Sequence, residues 1–109
     1  MSDQRYLLCV CQYGHCRSVA LARCLHSRKL NAVAVGTSTA GKETLRMLCI
    51  GAHRVLLLDD ALAGSLPAEA RGKTVSFHVG PDRWVNPYNQ ELAKILEGMV
   101  NAKAGELGL

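Results

Sequence analysis

Cys11-Gln12-Tyr13-Gly14-His15-Cys16-Arg17-Ser18 sets a thiol, an arginine and a hydroxyl at fixed offsets, Cys-x5-Arg-Ser, just ahead of a helix-forming stretch. That spacing suits the chemistry of a phosphate monoester at cysteine. A turn of this length wraps its backbone N–H groups around a tetrahedral oxyanion, and the following helix adds unpaired amides and the positive end of its dipole. The planar arginine fork grips two phosphate oxygens. The same positive surroundings favour a thiolate, which makes Cys11 the expected nucleophile and Arg17 the expected clamp. Ser18 is placed to donate to the sulfur and help it leave in a second step. Gln12, Tyr13, Gly14, His15, Cys16 and Arg17 form the expected phosphate-binding turn.

The other thiols ask for an account, because five cysteines in 109 residues is high for a chain from a reducing compartment and low for a disulfide scaffold. The odd number leaves one thiol over from any pairing. Cys16 has two readings, a redox guard that pairs with Cys11 under oxidation or a small packed residue. Cys9, two residues before Cys11 on a strand, points to the same face and is expected in the core, while Cys24 and Cys49 fall in amphipathic helical patterns. No Cys-x2-Cys or His-x3-His pair is present to grip a tetrahedral metal, so neither metal nor cofactor is expected. His15 lies within the turn and can tune the thiolate; His26, His53 and His78 read as surface or strand-end residues.

The segment resembles the low-molecular-weight protein tyrosine phosphatases and their relatives, small phosphatases of about this length and arsenate reductases. Their hallmark is Cys-x5-Arg-Ser between the first strand and first helix, often with a cysteine before the arginine, as Cys16 stands here. The resemblance implies a cysteinyl-phosphate intermediate, a phosphorylated protein or small aryl phosphate as substrate, and no metal. Tyr13-Gly14 replaces the family's usual Gly-Asn, and Val19 its usual proline after the serine. The family also carries Asp-Pro-Tyr after the fourth strand, its aspartate protonating the leaving group. Here the sequence is Asn86-Pro87-Tyr88, and asparagine is no acid. Asp82, four residues earlier, is the nearest carboxylate. Either Asp82 has taken the acid role, or the chain is a weak phosphate-binding pseudo-phosphatase in which Asp82 is a turn residue after Gly80-Pro81. Tyr13, Trp84 and Tyr88 are candidate walls for an aromatic substrate.

Two further function classes compete. Gly36-Thr37-Ser38-Thr39-Ala40-Gly41-Lys42 fits Gly-x4-Gly-Lys between a strand and a helix, a nucleotide-binding pattern, and Asp59 would then serve magnesium. Glu43, where that pattern needs Ser or Thr, argues against it, and the plain reading is a tight turn with Thr39 capping a helix. An arsenate-reductase-like thiol exchange is the other; no cysteine follows Cys49, which disfavours the thioredoxin-coupled form.

The elements that must hold this turn follow from apolar patterning. Tyr6 to Val10, Ala32 to Val35, Val55 to Leu58 and Thr74 to Val79 read as strands. Between them lie a helix after Ser18 with Leu21, Ala22 and Leu25 on one face, a second carrying Leu45, Leu48 and Cys49, and a short interrupted helix from Ala61 to Ala70. Asn86-Pro87 reads as the cap and first position of a last helix bearing Leu92, Ile95, Leu96, Met99 and Val100. Alternating strands and helices predict one α/β domain over residues 1–109, a four-stranded parallel sheet with helices on both faces and Rossmann-type layering. In such sheets ligands sit beyond the carboxyl ends of the strands.

Composition agrees with a folded domain: 49% of residues are hydrophobic, 20% charged, and the formal net charge is +4. The basic residues are scattered, which argues against nucleic acid and for attraction of a small anion. No stretch approaches the roughly 18 apolar residues of a membrane span, and the short apolar run behind Asp3 and Arg5 does not resemble a leader, so a cytoplasmic location is expected.

Overall fold

In the computed structural model, which describes residues 5–81, 83–84 and 86–108, the central strand is the one that ends on Cys11. This strand, β1 (Leu7–Cys11), is buried along its whole length. Its side chains alternate between two cores: Leu7, Cys9 and Cys11 enter one, Leu8 and Val10 the other. An unbroken apolar run is what a strand covered on both faces requires.

The chain continues through α1 (Arg17–Ser27), β2 (Ala32–Gly36), α2 (Lys42–Gly51) and β3 (Arg54–Leu57). Two short 3₁₀ turns (Asp60–Ser65 and Ala68–Ala70) lead to β4 (Thr74–Ser76), and α3 (Gln90–Ala102) closes the fold. The strands pair in the order β2-β1-β3-β4, all parallel. Ala20, Leu21, Ala22 and Leu25 of α1 share a core with Leu92, Leu96 and Val100 of α3, while Leu45 and Cys49 of α2 enter the opposite one. The sheet therefore carries helices on both faces. The radius of gyration, 12.6 Å, is that of one compact domain of this length, about 13 Å.

Because β1 lies between β2 and β3, the connections after β1 and after β3 run in opposite directions from the middle of the sheet. Their carboxyl ends flank the switch point, where an open α/β sheet leaves a crevice. Cys11 ends β1, and Asp59 follows β3 by two residues.

Several boundaries differ from those the sequence suggests. The expected Ala61 to Ala70 helix is two 3₁₀ turns, since Gly64 and Pro67 interrupt any longer one. β4 stops at Ser76 although its alternation runs on to Val79. Helix α3 begins at Gln90, capped by Asn89, whose side chain accepts from Leu92 N–H at 3.0 Å. Asn86 does not cap that helix; its Oδ1 accepts from Tyr88 N–H at 2.8 Å and closes a local turn. Among the described residues no helix is long and apolar enough to cross a membrane.

Candidate functional site

Between β1 and α1 the chain bends back on itself over residues 12–16, and the Cys11 thiol lies inside the bend. Gly14 N–H donates to Cys11 Sγ at 3.2 Å. The Ser18 hydroxyl, fully buried, lies 3.1 Å from the same sulfur. Three residues that the sequence separates by up to seven positions thus meet at one atom. The sulfur thus faces one amide and one hydroxyl, both groups able to hydrogen-bond to it.

Glycine is required at Gly14 for two reasons. Its φ is +74°, and a Cβ there would stand 2.8 Å from Gly36 N. Gly36 is bound as tightly, because its own Cβ would stand 2.3 Å from the carbonyl carbon of Tyr13. The bend and the end of β2 therefore pack backbone to backbone.

Helix α1 meets the bend without a side-chain cap and with no acidic residue in its first turn. No carboxylate of its own first turn offsets the positive end of its dipole. Arg17, the first residue of the helix, is 1% exposed. One end of its guanidinium is fixed: Nη1 donates to Gly80 O at 2.7 Å and to Asp59 Oδ2 at 3.2 Å. Asp59 is held in turn, its Oδ1 accepting from Ala61 N–H at 3.0 Å. The Arg17 Nε–H, by contrast, is buried with no partner among the described residues. An unpaired buried donor on a guanidinium costs free energy unless a ligand satisfies it.

Neither Asp59 nor Gly80 is singled out as a phosphate-site residue by the sequence. Asp59 carries a positional signal, a carboxylate just past a strand that borders the switch point. Gly80 acts through its carbonyl, which any residue would supply.

Not every candidate residue gathers at Cys11. Trp84, an expected cleft wall, is 2% exposed and belongs to the core with Phe77 and Leu92. Its carbonyl accepts from Asn86 N–H at 2.7 Å and from Asn89 Nδ2 at 3.4 Å, and Arg83 covers its ring at 3.8 Å. The large ring is drawn inward by its apolar area. Tyr88 is 66% exposed and lies under the Arg23 guanidinium, 4.3 Å from the ring centroid, so it is engaged by α1. Tyr13, 47% exposed, does stand on the bend, and His15 is exposed beside it. Asp82 lies outside the described residues.

Cys16 is 6% exposed and stands at the N-cap position ahead of α1; no disulfide joins the five cysteines. Burial raises the thiol pKa values of Cys9, Cys24 and Cys49 above the ordinary range; for Cys9 the neighbouring Cys11 and Cys24 add to it. These three are held as neutral, packed thiols. His78 accepts the Asp60 N–H at its Nδ1 (2.9 Å), and His26 Nε2 lies 2.9 Å from Ala32 O, both strand-end roles.

Between Gly36 and Lys42, four successive amides are spent on the protein. Thr37 N–H donates to Cys11 O (2.9 Å), Ser38 N–H to Gln12 O (2.8 Å), and Thr39 and Ala40 N–H to Gly36 O (3.3 and 3.0 Å). A nucleotide phosphate needs such donors free. Asp59, the carboxylate a nucleotide site would use for magnesium, is committed to Arg17. Thr39 does not cap α2 either; that position is Gly41, and no side chain caps the helix.

No family model, curated protein or solved structure matches this chain.

Proposed function

We propose that the protein is a cysteine-dependent phosphomonoester hydrolase of the protein tyrosine phosphatase type, acting through a cysteinyl-phosphate intermediate. The observation that carries this reading is Arg17, buried, anchored at Nη1 by Asp59 and Gly80, with an Nε–H that has no partner among the described residues. A guanidinium fixed at one nitrogen offers its opposite edge as a two-pronged grip for a tetrahedral oxyanion. The uncapped start of α1 and the sulfur held by Gly14 and Ser18 supply the other parts.

In the reaction, Cys11 Sγ attacks phosphorus and the P–O bond to the leaving alcohol breaks. Arg17 and the amides of the bend hold the three non-bridging oxygens, on which charge is spread in the transition state. Asp82 gives its proton to the departing oxygen, then takes one from the water that attacks the phosphocysteine. The S–P bond breaks, phosphate leaves, and the Ser18 hydroxyl supports the returning thiolate. Tyr13 on the rim of the bend is the aromatic surface available to a substrate ring. Five cysteines without a disulfide suit a reducing, cytoplasmic setting.

Hydrolysis of an aryl phosphate is expected for the wild type and is abolished in Cys11→Ser; turnover that survives this change defeats the mechanism. Asp82→Asn should lower kcat about a hundredfold for phenyl phosphate, and far less for p-nitrophenyl phosphate, whose leaving group needs no proton. Equal losses for both esters would remove Asp82 from the acid role. A wild type that binds vanadate through Cys11 and Arg17 without turnover would make the chain a phosphate-binding module.

A further inference from the structure

Three successive carbonyls of the bend are held by three successive residues of the turn after β2. Cys11 O accepts from Thr37 N–H (2.9 Å), Gln12 O from Ser38 N–H (2.8 Å), and Tyr13 O from the Thr39 hydroxyl (3.1 Å). In a strand, successive carbonyls alternate sides; here three in a row are drawn toward one partner segment. A trans peptide sets its carbonyl and the next N–H in opposite directions. The amides of Gln12, Tyr13 and Gly14 are therefore turned away from the β2–α2 turn, the arrangement of a backbone anion nest. The third of these planes supplies its own check, because the Gly14 N–H it carries donates to Cys11 Sγ at 3.2 Å.

Two of the three holds are backbone bonds that no substitution short of proline removes. The third is a side chain. We infer that Thr39 is a positioning residue, whose hydroxyl pins the Tyr13–Gly14 peptide so that the Gly14 amide faces the reacting sulfur and the oxyanion bound there. This rests on the phosphatase reading of the site and adds to it a residue that never touches substrate. The hydroxyl has one proton and two acceptors within reach, Tyr13 O at 3.1 Å and Gly36 O at 3.4 Å, and the shorter contact is the one that orients the bend. Close packing gives the contact leverage. With Gly14 and Gly36 touching backbone to backbone, the peptide has little room to find another orientation that still satisfies Tyr13 O.

The test compares Thr39→Val, which keeps the shape and removes the donor, with Thr39→Ser, which keeps the donor. Readouts are vanadate affinity, kcat and KM for an aryl phosphate, and the amide spectrum of Gly14. For Thr39→Val we expect vanadate binding about tenfold weaker, the size of one partly lost charge-assisted hydrogen bond. We expect kcat to fall by a similar factor with KM changed less, and the Gly14 amide resonance to move. Thr39→Ser should stay within about twofold of wild type in all three. If Thr39→Val does not fold, Thr39→Ala is read in the same way. A valine variant that matches wild type overturns the positioning role and leaves the phosphatase reading standing. So does a serine variant as impaired as the valine one. A wild type that neither binds vanadate nor hydrolyses the ester overturns both.

Discussion

Arg17 and Asp59 make the most deeply buried ion pair among the described residues. The guanidinium is 1% exposed and its partner carboxylate 16%. Removing one member of such a pair leaves a buried charge without compensation, which typically costs about 3–5 kcal/mol, whereas replacing both with well-packed neutral groups costs far less. We therefore expect Asp59→Ala and Arg17→Met each to lower stability strongly, and the double variant to recover most of the loss. Denaturant titration of the four proteins measures this coupling; additive losses would mean that the pair does not act as a unit. Gly36→Ala is a second expectation of this kind. Its Cβ would meet Tyr13 C at 2.3 Å and Gly14 N at 2.5 Å, both backbone atoms, so the bend must shift. A cost of about 1–3 kcal/mol is expected, together with loss of vanadate binding, read by thermal melts with and without the anion. The role of Gly36 was hidden in the sequence because a glycine that ends an apolar strand reads as a terminator. Its true constraint comes from a bend more than twenty residues earlier in the chain.

Helices and strands were legible where one face is apolar at a regular period and harder to read where tertiary contacts decide. The face of α3 carrying Leu92, Leu96 and Val100 is buried as the spacing predicts, although Ile95 on the same pattern is 37% exposed, at the edge of the stripe. Its beginning was not legible. Asn86-Pro87 has the composition of a helix start, yet Asn89 lies three residues later and its Oδ1 reaches Leu92 N–H at 3.0 Å. Two asparagines compete for one cap, and Asn89 takes it while its Nδ2 also reaches the Trp84 carbonyl at 3.4 Å. Asn89→Ala should cost about 1 kcal/mol, seen as a melting temperature about 4–8 °C lower, while Asn86→Ala should cost less than half of that. If Asn86→Ala is the more damaging, the helix starts where the sequence suggested. The bend that holds Cys11 was legible as Cys-x5-Arg-Ser, but its support was not. Asp59, Gly80 and Thr39 reach it from three separate connections; the parallel strands put these at one end of the sheet, and the order β2-β1-β3-β4 places them around the end of β1.

The five thiols divide the molecule's response to pH as well as its chemistry. Cys9, Cys24 and Cys49 are held protonated by burial, their pKa values raised above the ordinary range, and the Tyr6 phenol is raised in the same way. In the unfolded chain the thiols ionise near about pH 8.5. Above that point the unfolded state releases protons the folded state keeps, so it binds fewer, and the stability of the fold falls as pH rises. Below it both states are protonated and the contribution is complete. For the fully buried Cys9 the loss runs at about 1.4 kcal/mol per pH unit between its unfolded and folded pKa values. Cys9, completely buried on the central strand beside Cys11, has the widest of these windows. Denaturant unfolding under reducing conditions should therefore show stability level from pH 7 to 8 and falling steeply from about pH 9. Cys9→Ala should begin lower, by about 1 kcal/mol for the lost sulfur, and fall less steeply, so that the two curves converge in alkali. Parallel curves would mean that the Cys9 thiol ionises as freely in the folded core as outside it, and that its burial leaves no mark on the stability of the sheet that carries the nucleophile.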